Sequence, residues 1–199
     1  MAPRSTRSSL HLCSNCHQCT AAGASARILE YPVAVLYGDA ALSTRRMGAI
    51  LYFPAQSGAV RVLNHAFTVE VPAPSLAKLS PTGEVEHSIN GFEALWVLKA
   101  CEHWRDLVRN HLLLIFCDNY AAVRGLVRGY SASAPVCKIV GSIWQEWIEN
   151  QVVSWVEWVH TKSNPADALT RPGWMEALRC MGLHLEELTW NSAVLDTFQ

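Results

Sequence analysis

The chain has 199 residues, half of them hydrophobic, which is enough to bury one sizeable core and too few for two full domains. Its formal net charge of −1, with 17% charged residues, excludes a strongly basic protein that holds nucleic acid by charge alone. The sequence contains no apolar run near the roughly 20 residues that cross a bilayer, and no N-terminal secretory signal. We therefore expect an intracellular protein of the cytoplasm or nucleus, not secreted and without a membrane partner.

Residues 1–29 are predicted to be a disordered leader, because serines and three arginines occur there with no acid before Glu30. The segment "HLCSNCHQC" leaves zinc binding open, since Cys13, Cys16 and Cys19 are spaced as in a zinc half-site. A transit peptide is a further interpretation. The seven cysteines are odd in number and four stand singly in segments predicted to be buried, so we expect reduced thiols and no disulfide framework.

Three strands are predicted next, over residues 31–42, 47–54 and 58–71, because β-branched and aromatic runs are separated there by turn residues. Short connections between them predict an antiparallel meander. Prolines then predict a loop over residues 72–86. From Ser88 onward the apolar residues recur at helical spacing, which predicts an amphipathic helix.

The segment "HLLLIFCDN" is too continuous for a half-exposed strand and too short for a helix, so it predicts a central parallel strand covered on both faces. Two helices follow, the second beginning near Pro135, and then a strand over residues 152–160. Asn164 in a capping position and Pro165 in the first turn predict the start of a last helix. This order predicts an α/β fold with a five-stranded mixed sheet, three antiparallel strands and two further strands, flanked by helices.

Four carboxylates occupy the ends of these elements. Asp39 and Asp118 each end a buried strand, Glu93 lies in the first turns of the helix between them, and Asp167 lies in the first turn of the last helix. Parallel-sheet proteins place functional groups at such positions. Acids gathered there repel one another by several kcal/mol unless cations neutralise them. Carboxylate oxygens suit Mg²⁺ or Mn²⁺, and two ions roughly 4 Å apart can activate water and stabilise the leaving oxygen of a phosphodiester.

Four blocks occur in order along residues 31–173, namely "GDAAL", "INGFEALWVLKACEHWRDL", "LLLIFCDNYAAVRGLVRG" and "VSWVEWVHTKSNPADALTR". They resemble the RNase H-like domain of retroelement reverse transcriptases, of the gypsy or DIRS-like LTR retrotransposon kind. The most specific part is "NPADALTR", which follows "CDN" in the order typical of that family. The resemblance implies an RNase H-like domain over residues 30–175, and we expect a C-terminal helical extension over residues 176–199.

The resemblance also implies a reaction and its residues. It assigns the four metal-binding acids, in the family order Asp, Glu, Asp, Asp, to Asp39, Glu93, Asp118 and Asp167. It implies that two Mg²⁺ or Mn²⁺ ions support hydrolysis of the RNA strand of an RNA/DNA hybrid, leaving a 3′-hydroxyl and a 5′-phosphate. His160 is then a candidate for proton transfer or product release, and Asn119, Lys162 and Arg171 are candidates for substrate binding. A near-neutral domain should bind the hybrid weakly alone, so we expect a reverse transcriptase polymerase domain or subunit as partner.

Simpler interpretations stay open for single residues and for the function. Asp39 can merely end a strand, Glu93 can complete a capping box with Asn90, and Asp167 can serve only the helix N-terminus. His160 can be an ordinary strand-end residue. The whole domain can be a catalytically silent spacer or hybrid-binding module from a degenerate retroelement. An integrase or transposase of the same fold is the remaining alternative, although its pattern closes with a glutamate.

Overall fold

The computed structural model describes residues 31–54, 64–80, 85–171, 173, 175–180 and 182–197, and the described residues from 32 onward form one compact unit. The predicted leader over residues 1–29 and the cysteines at its possible zinc site lie outside these ranges. In the described part, no helix combines the length and the apolar character that crossing a membrane requires. The strands are β1 (Val33–Ala41), β2 (Arg46–Tyr52), β3 (His65–Glu70), β4 (Leu112–Cys117), β5 (Val153–Trp158) and β6 (His184–Leu188).

All of these strands belong to one sheet with the order β5-β4-β1-β2-β3-β6. The predicted meander of β1, β2 and β3 is confirmed as antiparallel. β4 runs parallel to both β1 and β5, as expected for strands that are connected through helices. The predicted mixed α/β class is therefore confirmed, with six strands instead of five.

The helices lie in the connections between strands and at the C-terminus. The α-helices are α1 (Ala73–Ala77), α2 (Val85–His103), α3 (Arg105–Val108), α4 (Tyr120–Arg128), α5 (Ala134–Glu149), α6 (Met175–Cys180) and α7 (Ala193–Asp196). Two 3-10 helices follow β5, at Thr161–Ser163 and Pro165–Thr170. α4 begins directly after β4 because Asn119 caps it, and it ends at Gly129, whose φ of 72° is the left-handed conformation that favours glycine.

The two faces of the sheet are covered differently. On one face α2 packs against β1, β2 and α5 around a large core whose biggest side chains include Trp96, Phe67, Phe92, Leu36, Met47, Leu51, Leu113 and Ile115. On the other face the second 3-10 helix lies on β1 and β2 and forms a small cluster of Ile50, Ala66, Ala166, Leu169 and Leu178. Neighbouring residues of one strand, such as Ile50 and Leu51, enter different clusters because side chains alternate across a strand.

β4 is a central parallel strand, but the prediction that both its faces are covered is only half right. Leu113, Ile115 and Cys117 are buried, whereas Leu112, Leu114 and Phe116 are half-buried. On the less covered face the Phe116 ring stacks on Tyr37 of β1, with ring centroids 4.9 Å apart. The continuous apolar run therefore reflects one helix-covered face and one face closed only by neighbouring side chains.

The C-terminal quarter differs most from the prediction. The expected single last helix is a 3-10 helix followed by the separate α6, and Arg171 between them is extended, with φ −111° and ψ 106°. Pro172 comes next in the sequence, and the residue before a proline is pushed out of the helical region. Within residues 176–199, where a helical extension was expected, β6 pairs in parallel with β3 and supplies the sixth strand. The domain boundaries themselves stay a prediction.

Candidate functional site

Asp39 lies on β1 near the end where the strand leaves the core, and its side chain is buried. The Thr170 hydroxyl, from the end of the second 3-10 helix, donates a hydrogen bond of 2.5 Å to Asp39 Oδ2. Burial raises the pKa of Asp39 to about 6; the Thr170 hydrogen bond opposes this rise, and the charges of Asp118 and Asp167 add to it. Asp39 therefore senses the charge of two other predicted site acids.

Glu93 is 4% exposed and lies inside α2. Its Oε2 accepts a hydrogen bond of 3.0 Å from the Trp96 indole N–H, and the backbone N–H of Ala40 also contributes a hydrogen bond. Burial raises its pKa well above the ordinary value, and the charges of Asp39 and Asp118 raise it further. Because α2 already begins at Val85, the alternative in which Glu93 completes a capping box is wrong.

Gly38 makes this arrangement possible. A Cβ atom added at Gly38 would lie 2.2 Å from the ring of Trp96, so the ring packs directly against the β1 backbone. Trp96 is fully buried there and its indole N–H reaches Glu93. No sequence pattern points to Gly38 or Trp96 as site residues, since helical spacing predicts only a core position for Trp96.

Asp118 follows the last residue of β4 and is partly exposed. Its carboxylate, the Glu93 carboxylate and the Cys117 sulfur each offer an atom within 4.8 Å of the other two. The pKa of the Cys117 thiol is raised well above its ordinary value, first by burial and then by the charge of Glu93. In the metal-free protein this favours the neutral thiol, and hard cations prefer the carboxylate oxygens to a sulfur ligand.

Asp167 is brought to the site by the second 3-10 helix. Asn164 caps this helix through the Ala166 N–H at 3.1 Å, and its side-chain amide donates to the Gly38 carbonyl at 2.9 Å. The predicted cap is thus confirmed, and it also fastens the helix to β1 beside Asp39. The Asp167 carboxylate accepts a hydrogen bond of 2.8 Å from Arg171. The charge of Asp167 helps to raise the pKa of Asp39, but the Asp167 side chain is already paired with Arg171.

The comparison with solved structures identifies the fold around these acids. The chain is similar to LC9-RNase H1, described as a type 1 RNase H with the type 2 active-site motif, at 12% identity and a TM-score of 0.52 over 78% of this chain and 87% of that one. The chain has the RNase H-like fold. Two further structures resemble this domain. One is the N-terminal RNase H domain of rv2228c from Mycobacterium tuberculosis, at 13% identity and a TM-score of 0.49 over 75% and 99% of the two chains. The other is the Prototype Foamy Virus protease–reverse transcriptase, at 13% identity and a TM-score of 0.37 over 77% and 21%.

Comparisons by sequence find no match for this RNase H-like domain. No family model matches the chain, and no curated protein matches it in sequence. At 12% identity, the likeness to LC9-RNase H1 shows the fold and not the activity. The function must therefore be argued from the side chains.

The remaining predicted residues have local partners or are exposed. His160 is exposed, its Nδ1 accepts the Lys162 backbone N–H at 3.1 Å, and its ring lies edge-on to Trp158. Asn119 caps α4 and donates its side-chain amide to Asn90 at 3.1 Å. Lys162 is exposed on the first 3-10 helix. The catalytic part of His160 and the substrate contacts of Asn119, Lys162 and Arg171 stay predictions.

Proposed function

We propose that this RNase H-like domain hydrolyses the RNA strand of RNA/DNA hybrids. The observation that carries the proposal is the approach of the Glu93 and Asp118 carboxylates, which come from separate elements and offer atoms within 4.8 Å of each other. Glu93 of α2, Asp118 after β4 and Asp167 of the 3-10 helix all act on Asp39 or are acted on by it. Asp39 and Asp167 are thereby linked to this pair of carboxylates through the charges that act on Asp39.

Hard divalent cations fit this donor set. Asp39 and Glu93 are buried carboxyls whose pKa values are raised by burial and by neighbouring acids, so their charged forms are unfavourable in the protein alone. Oxygen ligands of this kind prefer Mg²⁺ or Mn²⁺. The ligands would be Asp39, Glu93, Asp118 and Asp167. A pair of such ions supplies an activated water and stabilises the developing charge on the leaving oxygen.

The protein's own side chains would orient these ligands. The Trp96 indole and the Ala40 N–H direct the Glu93 carboxylate, and the Thr170 hydroxyl directs that of Asp39. Asn164 fastens the helix that carries Asp167. Supporting hydrogen bonds of this kind hold metal ligands in position and tune their basicity.

Few cationic side chains would be available to bind the phosphates of the hybrid. Arg171 and Lys162 are exposed near the last acid, and His160 lies on the same segment. With a net charge of −1, the chain should release few counterions from nucleic acid and bind weakly by itself. We propose that a reverse transcriptase polymerase domain or subunit of a gypsy or DIRS-like retroelement supplies most of the affinity.

A catalytically silent hybrid-binding module is the second candidate. The observation that favours it is the Asp167–Arg171 ion pair at 2.8 Å, because an acid already neutralised by arginine is a poorer metal ligand. The two candidates differ in a simple respect: a silent module binds the hybrid and leaves its RNA intact.

The test is cleavage of an RNA/DNA hybrid labelled on its RNA strand, with Mn²⁺ present. The protein should cut the RNA, and Asp118→Asn should lower the rate at least about a hundredfold while the variant stays folded. Asp106→Asn is the matched control, because that side chain is 96% exposed on α3 and should leave the rate unchanged. Undiminished cutting by Asp118→Asn would reject the metal role, and intact RNA with the unaltered protein would favour the silent module.

A further inference from the structure

Asp118 lies one residue beyond the end of the β4–β5 ladder. The last pair of that ladder is Cys117 with Trp158, and the Val159 N–H donates to the Cys117 carbonyl at 3.1 Å. The next carbonyl along the chain, that of Asp118, has passed the end of β5 and lies beyond this backbone ladder. Its peptide group would be held by water alone unless a side chain reached it.

Trp158 provides that side chain. Its indole N–H donates a hydrogen bond of 2.9 Å to the Asp118 carbonyl, across a sequence separation of 40 residues. The ring is 44% exposed, so hydrophobic burial is a weak reason for a tryptophan at this position. The polar end of the ring makes the contact that continues the ladder by one step.

The other side of Asp118 is held as well. The Asn119 side chain caps α4 by accepting the Ala122 N–H at 2.9 Å. The backbone N–H of Asn119 donates to the Cys117 sulfur at 3.4 Å. Asp118 thus lies between the last residue of β4 and Asn119, the residue that caps α4. The direction of its carboxylate depends on its φ and ψ angles, and a hydrogen bond to its carbonyl restricts ψ.

We propose that Trp158 is a positioning residue for Asp118. Its indole N–H holds the Asp118 peptide group so that the carboxylate stays beside Glu93, ready to share a divalent cation. The inference rests on the proposed function for the use of that cation. It adds a residue outside the carboxylate cluster and a physical reason for an exposed tryptophan at the end of β5.

Trp155 is the natural control. It lies on the same strand, three residues earlier and therefore on the opposite face, and it is 62% exposed. Its ring lines an apolar groove of about 230 Å³ together with Leu126, Trp144 and Val156. Trp155→Phe and Trp158→Phe are the same chemical change, and both keep an aromatic ring while removing the indole N–H.

The experiment measures Mn²⁺ binding to the full chain by calorimetry, without nucleic acid. Trp158→Phe should weaken Mn²⁺ binding by about three- to tenfold, the effect of one lost hydrogen bond on a ligand's position, and Trp155→Phe should change it less than about twofold. In the cleavage assay, Trp158→Phe should need a correspondingly higher Mn²⁺ concentration for half-maximal rate and regain most of the maximal rate at saturation. A merely structural role would lower the maximal rate instead.

Each result of these measurements either supports the inference or overturns it. Equal Mn²⁺ affinity in Trp158→Phe and the unaltered protein overturns the inference, and so does an equal loss in Trp155→Phe. If the unaltered protein binds Mn²⁺ and Trp158→Phe binds it more weakly, the inference stands even when the hybrid is not cut, and only the nuclease proposal fails. If the unaltered protein binds no Mn²⁺, both are rejected.

Discussion

Two well-covered glutamates on neighbouring helices have opposite surroundings. Glu146 of α5 accepts two hydrogen bonds from Arg105, at 3.0 and 2.7 Å, and a third from Asn150 at 3.2 Å. Glu93 of α2 is more deeply buried, and the charges that act on it come from Asp39 and Asp118. α2 and α5 pack against each other, so two neighbouring helices carry one acid that is paired with a cation and one acid that lies beside other acids.

This difference separates an acid that is neutralised by a cation from an acid that lies beside other acids. An ion pair with good geometry makes a modest contribution to folding, because the cation offsets part of the loss of solvation. A buried carboxyl beside other carboxyls lowers the stability of the protein, and proteins keep such groups where a ligand uses them. On the proposed function, Glu93 and its neighbours would bind the cations, while Glu146 belongs to ordinary helix packing.

The largest expected effect is on the cleavage rate, and it distinguishes Glu93 from Glu146. Glu93→Gln should lower cleavage of the hybrid by about a thousandfold, because a metal ligand supports several kcal/mol of transition-state stabilisation. Glu146→Gln should retain the rate within about twofold. Initial rates with a labelled hybrid and saturating Mn²⁺ measure both, and similar losses in the two variants would contradict the contrast.

The protonation of Asp39 should make the free energy of unfolding depend on pH. Because its pKa rises from 3.8 to about 6 on folding, the native state holds its proton where the unfolded state has lost it. The stabilising contribution is complete below about pH 4 and is lost as the pH rises through about 6. At 1.36 kcal/mol per pKa unit, the loss is about 3 kcal/mol.

Urea unfolding without divalent ions, at several pH values, measures this contribution. Asp39→Asn should flatten the fall in unfolding free energy between pH 4 and 6, relative to the unaltered protein. Asp106→Asn, with its exposed side chain, should leave the slope unchanged. A parallel slope in Asp39→Asn would show that Asp39 is not the responsible group.

Substitutions at two glycines test whether the packing of Trp96 against Gly38 supports Glu93. Gly38→Ala should destabilise the protein by about 2 to 3 kcal/mol and lower cleavage, since the new methyl group meets the Trp96 ring that holds Glu93. Gly141→Ala on α5 has open space and should be neutral or stabilising by up to about 1 kcal/mol. Thermal unfolding compares them, and equal effects would remove the role given to Gly38.

The smallest expected effect concerns the paired glutamate. Glu146→Gln should lower the unfolding free energy by about 1 kcal/mol, because Arg105 is half-exposed and its bonds to Glu146 are partly screened by solvent. Under the same metal-free conditions above neutral pH, Glu93→Gln should raise the unfolding free energy, since burial and neighbouring acids disfavour the charged form of this carboxyl in the folded state and glutamine removes that cost. Chemical denaturation of both variants sharpens the comparison through the sign of the change.

The sequence determined the elements and the placement of the acids along them. Periodicity and caps are local, so the meander, the central strand before Asp118 and the cap at Asn164 could be predicted from neighbouring residues. The assignment of the order Asp, Glu, Asp, Asp came from the resemblance of the sequence blocks to the RNase H-like domain of retroelements. Strand β6 was missed because a five-residue edge strand with weak alternation exists mainly through its pairing with β3.

The tertiary structure alone decided how the acids are held. Thr170 meets Asp39 across 131 residues, Asn164 meets Gly38 across 126, and Trp158 meets Asp118 across 40. Such contacts follow from how strands and helices pack, and no local pattern encodes them. The raised pKa values of Asp39 and Glu93 likewise arise only when folding removes water and brings like charges together.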